Sequence, residues 1–186
     1  MAEQATEDRR VRRTKQRLKD ALNELIVEKG YDRVTVQDLI DRADVGRSTF
    51  YAHYDTKDDL MMSQLGPLQE QMGWALGSDR ALTESVVASL PLFEHIAEHH
   101  EEFRAMIGSR GIALAEEAVH SALLEHIGEE LRRRERQGER HAVPVDARAG
   151  FLAGSLMAFA TWWLENGMPY SAAQMDEMFQ ELTRTA

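Results

Sequence analysis

The stretch from residue 35 to residue 53 constrains the fold most, because it contains two short helical patterns separated by a tight turn. Thr35 with Asp38 three residues later matches the capping-box pattern, which marks the start of the first helix. An Asp-Val-Gly turn at residues 44–46 separates this helix from a second one, which begins at Arg47. Two short helices joined by a three- or four-residue turn that contains glycine predict a helix-turn-helix.

The leading end of the second helix carries small polar and basic residues. A recognition helix meets base edges with its N-terminal residues, so we expect four residues to face the major groove of DNA: Gly46, Arg47, Ser48 and Thr49. Arg47 can donate two hydrogen bonds to guanine, which discriminates against other bases by about 1–3 kcal/mol. The alternative for this end is an ordinary exposed helix turn.

Four more polar side chains in and around the two helices suit contacts with phosphate oxygens: Thr35, Tyr51, His53 and Lys57. Each has an alternative role that needs no DNA. The amphipathic ring of Tyr51 could pack in the core, and His53 could be a surface histidine with a partner in the protein.

The formal net charge of −10 is unusual for a DNA-binding protein, but the charge is unevenly distributed. Residues 9–57 contain 12 Lys and Arg against 8 Asp and Glu, whereas residues 61–186 contain 10 against 19. A basic N-terminal part followed by an acidic remainder is expected if only the N-terminal part contacts phosphate. Four arginines near the N-terminus are either a solvated tail or a basic arm that adds salt-dependent affinity: Arg9, Arg10, Arg12 and Arg13.

Helical spacing dominates the rest of the chain, which has only 4 prolines and no strand pattern or internal repeat. The predicted helices are residues 9–29, 36–43, 47–53, 57–76, 83–100, 102–107, 112–137, 146–166 and 172–183, with Asp146 and Ser171 as N-caps of the last two. We therefore expect an all-α fold. Residues 1–8 would be a disordered tail, residues 9–60 a three-helix helix-turn-helix domain, and residues 61–186 a helical bundle for ligand binding and dimerisation.

Several kinds of chemistry find no support in the sequence. Without cysteine there can be no disulfide, thiolate nucleophile or cysteine-ligated zinc. There is no phosphate loop, Ser-His-acid set or His-Glu-x-x-His pattern, so we expect neither an enzyme nor a cofactor. His95 and His99 would share a helix face, but no third ligand has metal-site spacing, and we predict no metal site.

The sequence also gives no sign of a membrane segment. The longest apolar stretch, residues 149–164, is shorter than the roughly 20 residues that span a bilayer. The first residues contain arginines but no apolar run after them, unlike a signal peptide. We expect a cytoplasmic protein with no membrane partner.

The predicted helix over residues 146–166 is apolar on most of its surface and carries a row of small residues that would allow another helix to approach closely. Either this helix is buried in its own core or it forms a dimer interface. Together with an apolar stripe on the last helix, it favours a symmetric four-helix interface between two copies. The expected interface residues are Phe151, Gly154, Ala158, Met175, Met178 and Phe179.

Aromatic and methionine residues recur in the predicted helices after residue 60. They could be plain core, or they could line a pocket for a small molecule between helices. The candidate pocket residues are Trp74, Phe93, Phe103, Met106, Phe159 and Trp162.

The run from Thr14 to Leu60 resembles the DNA-binding domain of the TetR/AcrR family. The matching positions are Ala21, Leu25, Gly30, Thr35, Val36, Leu39, Ile40, residues 43–45, residues 49–54 and residues 57–60. The sequence departs at Gly46 and Ser48, where the family often has Ser and Gly. The resemblance implies an all-α homodimer with an inducer pocket in its C-terminal domain, and DNA-backbone contacts from Thr35, Tyr51, His53 and Lys57.

These patterns lead us to expect a homodimeric repressor that binds double-stranded DNA at a (pseudo)palindromic operator and responds to a small-molecule inducer. Repression rather than activation is implied by the family resemblance. The alternatives are a DNA-binding regulator that has no inducer, and a small helical metal-binding protein.

Overall fold

The computed structural model describes residues 2–64, 87–139 and 142–184, and within these ranges it contains helices and no strand. The predicted all-α fold is confirmed. The helices are α1 Ala2–Lys29, α2 Val36–Ala43, α3 Arg47–Tyr51, α4 over residues 57–64, α5 Leu90–Glu98, α6 His100–Met106, α7 Arg110–Arg136, α8 Val145–Glu165 and α9 Ala172–Arg184. None of the helices described is long and apolar enough to cross a membrane.

The chain divides into two compact units. The first consists of Met1–Gln64 together with Ala105–Leu114, and the second of Leu65–Arg104 together with Ala115–Ala186. The first unit thus contains a segment distant in sequence, which no local pattern indicates. Helix α7 has residues in both units.

The first unit is built around an apolar stripe on α1. The stripe residues recur at helical spacing and all are buried: Leu18, Ala21, Leu22, Leu25 and Ile26. They share the core with Leu39, Ile40 and Phe50 of the two shorter helices. Because each fully buried Leu, Ile or Phe contributes about 1.5–3 kcal/mol, this stripe holds the helix-turn-helix to α1.

Helix α1 begins at Ala2, whereas the sequence predicts a disordered tail over residues 1–8 and a helix from Arg9. The difference has a local cause. Residues 2–17 contain neither glycine nor proline and are rich in Ala, Glu, Gln and Arg, which are strong helix formers. The helix therefore extends toward the N-terminus beyond Leu18, where the buried stripe begins.

Side-chain caps fix the starts of the helices, mostly as the sequence predicts. The capping box of Thr35 before α2 is confirmed, and Thr56 forms the same arrangement with Asp59 before α4. Ser171 caps α9, because its hydroxyl accepts from the backbone N–H of Gln174 at 3.3 Å. The predicted Asp146 cap is wrong: Pro144 is the N-cap of α8, and Asp146 lies in the first turn.

The second unit has a core formed by α5, α7, α8 and α9. Its largest buried side chains include Trp163, whose indole N–H donates to the Tyr170 carbonyl at 3.0 Å. The half-buried Gln180 of α9 joins this helix to the residues just before α5, because its amide donates to the Val87 carbonyl at 2.8 Å and to the Ser89 hydroxyl at 3.1 Å. These bonds satisfy polar groups that would be costly to bury alone.

Helix α5 begins at Leu90, although the sequence predicts one helix over residues 83–100. Residues 87–89 are not helical, and residues 83–86 lie outside the described part. Pro91 lies in the first turn, where its missing N–H costs nothing. Helix α5 ends at its C-cap His99, which separates it from α6.

Candidate nucleic-acid interface

The turn between α2 and α3 is held by backbone hydrogen bonds. Asp44 adopts a left-handed conformation with a φ of 50°, which aspartate tolerates better than most residues. The Val45 N–H donates to the Ile40 carbonyl at 3.0 Å. The Gly46 carbonyl then accepts from the N–H groups of Thr49 and Phe50 and starts α3. The predicted helix-turn-helix is confirmed at this turn.

Helix α3 has one buried side and one exposed side. Phe50 has 0% of its surface exposed and packs beside Tyr54, with the two ring centroids 6.0 Å apart. Gly46, Arg47 and Ser48 are exposed at the leading end of the helix. A short helix anchored by one aromatic residue therefore presents its N-terminal residues to solvent, which is the geometry required to enter a major groove.

Arg47 has neither a hydrogen bond nor an ion pair within the described ranges of the chain. Its guanidinium carbon lies 5.9 Å from the ring centroid of Tyr51, at the limit of a cation–π contact. The Tyr51 ring is 46% exposed, so it is not a core residue. Both side chains thus remain available to a partner, while Thr49 and His53 are half-buried.

The Thr35 hydroxyl is already used within the protein. It accepts from the Asp38 N–H at 3.2 Å and donates to the Asp38 carboxylate at 2.5 Å. Thr35 is exposed at the start of α2. Its contact with phosphate stays a prediction, and the structure assigns its side chain to helix capping.

The Lys57 ammonium is committed to backbone carbonyls. It donates to Tyr31 at 2.8 Å, to Val34 at 3.0 Å and to Asp32 at 3.3 Å, and it lies 4.4 Å from the ring centroid of Tyr31. Partial burial lowers the pKa of Lys57. Lys57 therefore ties the start of α4 to the 3₁₀ turn Tyr31–Arg33, a role the sequence analysis missed, and its phosphate contact stays a prediction.

The segment Ala105–Leu114 contacts the rest of the first unit through Tyr31 and Asp58. The Tyr31 hydroxyl donates to one Asp58 oxygen at 2.5 Å, and Arg110 donates to the other at 3.0 Å. Burial and the Asp58 carboxylate raise the pKa of Tyr31. A Cβ added at Gly111 would lie 2.7 Å from the Tyr31 ring, so only glycine fits there.

Ion pairs connect α2 to α1. Arg42 donates to Glu24 at 2.9 Å and to Glu28 at 2.7 Å, and Lys29 lies 2.6 Å from Asp38. The hydrogen bond from Lys29 holds the pKa of Asp38 well below its usual range. Two basic side chains thus hold three carboxylates between α1 and α2, and α3 itself contains no acidic residue.

The residues predicted for the dimer interface lie in different environments. Phe151 and Ala158 are exposed and Gly154 is half-buried, so α8 has an open apolar side opposite its buried side. Met175 and Phe179, expected at the dimer interface, are 0% and 1% exposed and pack in the core of the protomer instead. Helical spacing marks an apolar stripe but does not show whether the stripe faces its own core or a partner. Met178 is half-buried against that core.

The candidate pocket residues are only partly brought together. Phe93 is buried in the second unit, with its ring centroid 6.1 Å from Phe159, and Phe159 stacks on Trp162 at 5.8 Å. Phe103 packs against the same core and also contacts His95, with ring centroids 5.9 Å apart. Met106 is buried in the first unit, and Trp74 lies outside the described residues. A ligand pocket stays a prediction.

The two histidines considered as metal ligands, His95 and His99, have adjacent rings. The centroids of His95 and His99 are 4.6 Å apart, and burial lowers the pKa of His95 to about 4. Across residues 2–64, 87–139 and 142–184, no group of three or more His, Asp or Glu is placed to hold a metal ion. His95 therefore packs as a neutral ring against Phe103.

Two family models match this chain. Residues 18–62 match the bacterial regulatory proteins of the tetR family, and residues 88–185 match a transcriptional regulator C-terminal region. A curated relative, an uncharacterized HTH-type transcriptional regulator YxbF of Bacillus subtilis (strain 168), is 36% identical over 59 residues. That match covers 31% of this chain and 16% of the relative, so this chain spans a minor part of that protein's length.

Solved structures with the same fold cover nearly the whole chain. A putative TetR-family regulator from Syntrophomonas wolfei has a TM-score of 0.74 at 20% identity, covering 92% of this chain and 93% of that one. The transcriptional regulator FadR from Bacillus subtilis, solved in complex with stearoyl-CoA, has a TM-score of 0.71 at 19% identity, covering 91% and 97%. At these identities the likeness shows the fold.

Proposed function

This chain belongs to the TetR family of bacterial regulatory proteins and is a DNA-binding transcriptional regulator, and from this premise we propose that it is a homodimeric repressor released from its operator by a small molecule. The observation that carries the proposal is the leading end of α3, where Arg47 is exposed and Phe50 anchors the helix from behind. In this proposal Arg47, Ser48 and Thr49 read base edges, and Tyr51 and His53 contact the backbone.

A homodimer gives the second recognition helix that a (pseudo)palindromic operator requires. The two helices must lie roughly 34–36 Å apart to enter successive major grooves. The open apolar side of α8 supports the dimer, since Phe151 is 57% and Trp162 is 42% exposed in the protomer. A second copy that covers this side would bury apolar surface and fix the spacing of the two α3 helices.

The proposed inducer binds in the second unit and acts by linkage: it favours a form of the dimer that fits DNA less well. Two observations support this. Helix α7 has residues in both units and begins at Arg110, which pairs with Asp58. A regulator of the same fold was solved in complex with stearoyl-CoA, a ligand that joins a long acyl chain to a charged coenzyme.

Binding of the full-length protein to the promoter region beside its own gene tests the proposal. Arg47→Ala is expected to weaken operator binding by about 1–3 kcal/mol, roughly 5- to 150-fold, because a bidentate base contact is lost. Arg104→Ala removes an exposed arginine of α6 and serves as the charge-matched control. Fluorescence anisotropy at physiological salt measures both variants, and equal affinities for operator and random duplex in the unmodified protein would defeat the proposal.

Release by a ligand is tested on the same complex. Fatty acyl-CoA esters and a panel of apolar small molecules are added to the operator complex, and the melting temperature of the free protein is followed in parallel. A ligand that raises the melting temperature and lowers operator affinity supports an inducer. If ligands raise the melting temperature without changing operator affinity, the protein regulates without this mode of release.

A further inference from the structure

The side of α1 that faces α2 changes charge along its length. Toward the C-terminal end, Glu24 and Glu28 lie on this side and bind Arg42 of α2. Further toward the N-terminus, Arg17 lies on the same side and pairs at 3.1 Å with Asp44, the residue that begins the turn before α3. Moving along α1 toward its N-terminus therefore leads past α2 to the turn that starts the recognition helix.

Two more arginines continue this side beyond Arg17. Arg13 and Arg10 are four and seven residues before it, which places them within about 40° of Arg17 around the helix and about 6 and 10 Å further along its axis. Both are exposed, and neither guanidinium has a hydrogen bond or an ion pair in the part of the chain that the structure describes. Their charge is therefore free to bind an anion.

The remaining basic residues of this segment lie on the other side of α1. Arg12 and Lys15 are rotated by about 140–160° from Arg17. Lys19, on the same side as these two, donates to the Ser63 carbonyl of α4 at 2.9 Å. This side of α1 therefore faces α4 and points away from the turn before α3. Of the two basic sides, the one that carries Arg17 contacts the turn before the recognition helix.

We propose that Arg10 and Arg13 form a phosphate-binding edge that contacts the DNA backbone beside the groove entered by α3. The partner is duplex DNA, because the edge continues from the Arg17–Asp44 pair at the helix-turn-helix and offers two planar guanidinium groups, which suit phosphate oxygens. The edge replaces the flexible basic arm considered from the sequence, since these residues are part of a helix. The inference rests on the proposed DNA binding of α3.

A pair of charge-matched double variants of the full-length protein tests the edge. Arg10→Gln with Arg13→Gln removes the proposed contacts, and Arg12→Gln with Lys15→Gln removes the same charge from the opposite side of the same helix. Both leave Arg9 in place, and glutamine preserves helix propensity. Circular dichroism and melting temperature confirm that each variant folds as the unmodified protein does.

The measurement is the dependence of DNA affinity on KCl concentration. Each lost phosphate contact reduces the slope of log K against log salt by about 0.9, so the Arg10 and Arg13 variant should lose about 1.8 per protomer. The Arg12 and Lys15 variant should lose less than half of that. The preference for operator over random duplex should be unchanged in both, since phosphate contacts carry no sequence information.

Equal slopes for the two double variants, or a slope unchanged by Arg10→Gln with Arg13→Gln, would overturn the proposed edge. The same comparison is made on a random-sequence duplex, because phosphate contacts do not depend on an operator. If the unmodified protein does not bind any DNA sequence specifically, the proposed repressor function is wrong. The slope difference on random duplex would still decide whether this edge binds DNA.

Discussion

Within α3, one residue anchors the helix and another, three positions earlier, is free to bind. Phe50 is buried, whereas Arg47 is exposed at the leading end of the helix, with its guanidinium carbon 5.9 Å from the ring centroid of Tyr51. Because α3 has only five residues, its position depends on this anchor and on the Gly46 carbonyl that starts it. The buried Phe50 side chain therefore sets the position of the exposed N-terminal residues of α3.

Asp38 provides a prediction about pH. Its pKa is lowered by hydrogen bonds from Lys29 and Thr35, so it stabilises the folded state above the pKa of an unfolded aspartate, and this contribution is lost as the pH falls below that value. Asp38→Asn should lower the melting temperature at neutral pH, and the difference from the unmodified protein should shrink between about pH 5 and pH 3.

Asp41→Asn is the matched control for that experiment, because Asp41 lies in the same helix and its carboxylate accepts from the neutral Gln37 amide, with no ion pair among the described residues. Melting is followed by circular dichroism from pH 3 to pH 7. A deficit of Asp38→Asn that keeps the same size across this range would contradict the role of the Asp38 carboxylate.

Gly111 provides a prediction about packing. Gly111→Ala places a methyl group 2.7 Å from the Tyr31 ring, and overpacking of this kind costs about 1–3 kcal/mol. In the same helix, a Cβ at Gly128 would meet only the end of the Arg132 side chain at 3.2 Å. Gly128→Ala should therefore be neutral or stabilising, since alanine favours a helix over glycine by about 1 kcal/mol. Urea unfolding of both variants distinguishes them, and equal destabilisation would contradict the close approach of Tyr31.

At the scale of helices, local signals in the sequence predict most of the architecture. The capping boxes at Thr35, Thr56 and Ser171 and the stripe on α1 depend on residues close together in the chain, and all are present. The place of Ala105–Leu114 in the first unit depends on contacts with Tyr31 and Asp58, which are distant in sequence. No periodic pattern carries that information.

The same limit applies to the candidate site. The exposed leading end of α3 follows from motif and spacing, and the structure agrees. The carbonyl contacts of Lys57 require the position of Tyr31, which the sequence does not provide. For α9, periodicity identifies an apolar stripe but not its partner, so Met175 and Phe179 were expected at an interface and lie in the core.

Helix α8 carries the prediction for assembly. Phe151→Glu places a charge on the open apolar side of this helix, where a second copy is proposed to dock, and should shift the protein from dimer to monomer. Gln137→Glu adds the same charge at an exposed position after α7 and should leave the dimer intact. Analytical ultracentrifugation measures the mass of each, and a dimer that persists in Phe151→Glu would exclude this side of α8 as the interface.

For the whole molecule, the distribution of charge and apolar surface agrees with separate roles for the two units. The first unit carries the unpaired arginines of α1 and α3, and the second carries the open apolar side of α8 and the aromatic cluster around Phe93. DNA binding requires the first, and a symmetric dimer with two recognition helices requires the second. In the proposed function, both units must therefore act together in the complete dimer on DNA.

Hydroxyl-radical footprinting of the unmodified protein on the promoter region beside its gene tests DNA binding by the dimer most directly. The account predicts protection of two half-sites related by twofold symmetry, with centres about 10 base pairs or a multiple of this apart, and loss of both in Arg47→Ala. Protection without such phasing, or a footprint that Arg47→Ala leaves unchanged, would contradict the reading of DNA by the leading end of α3.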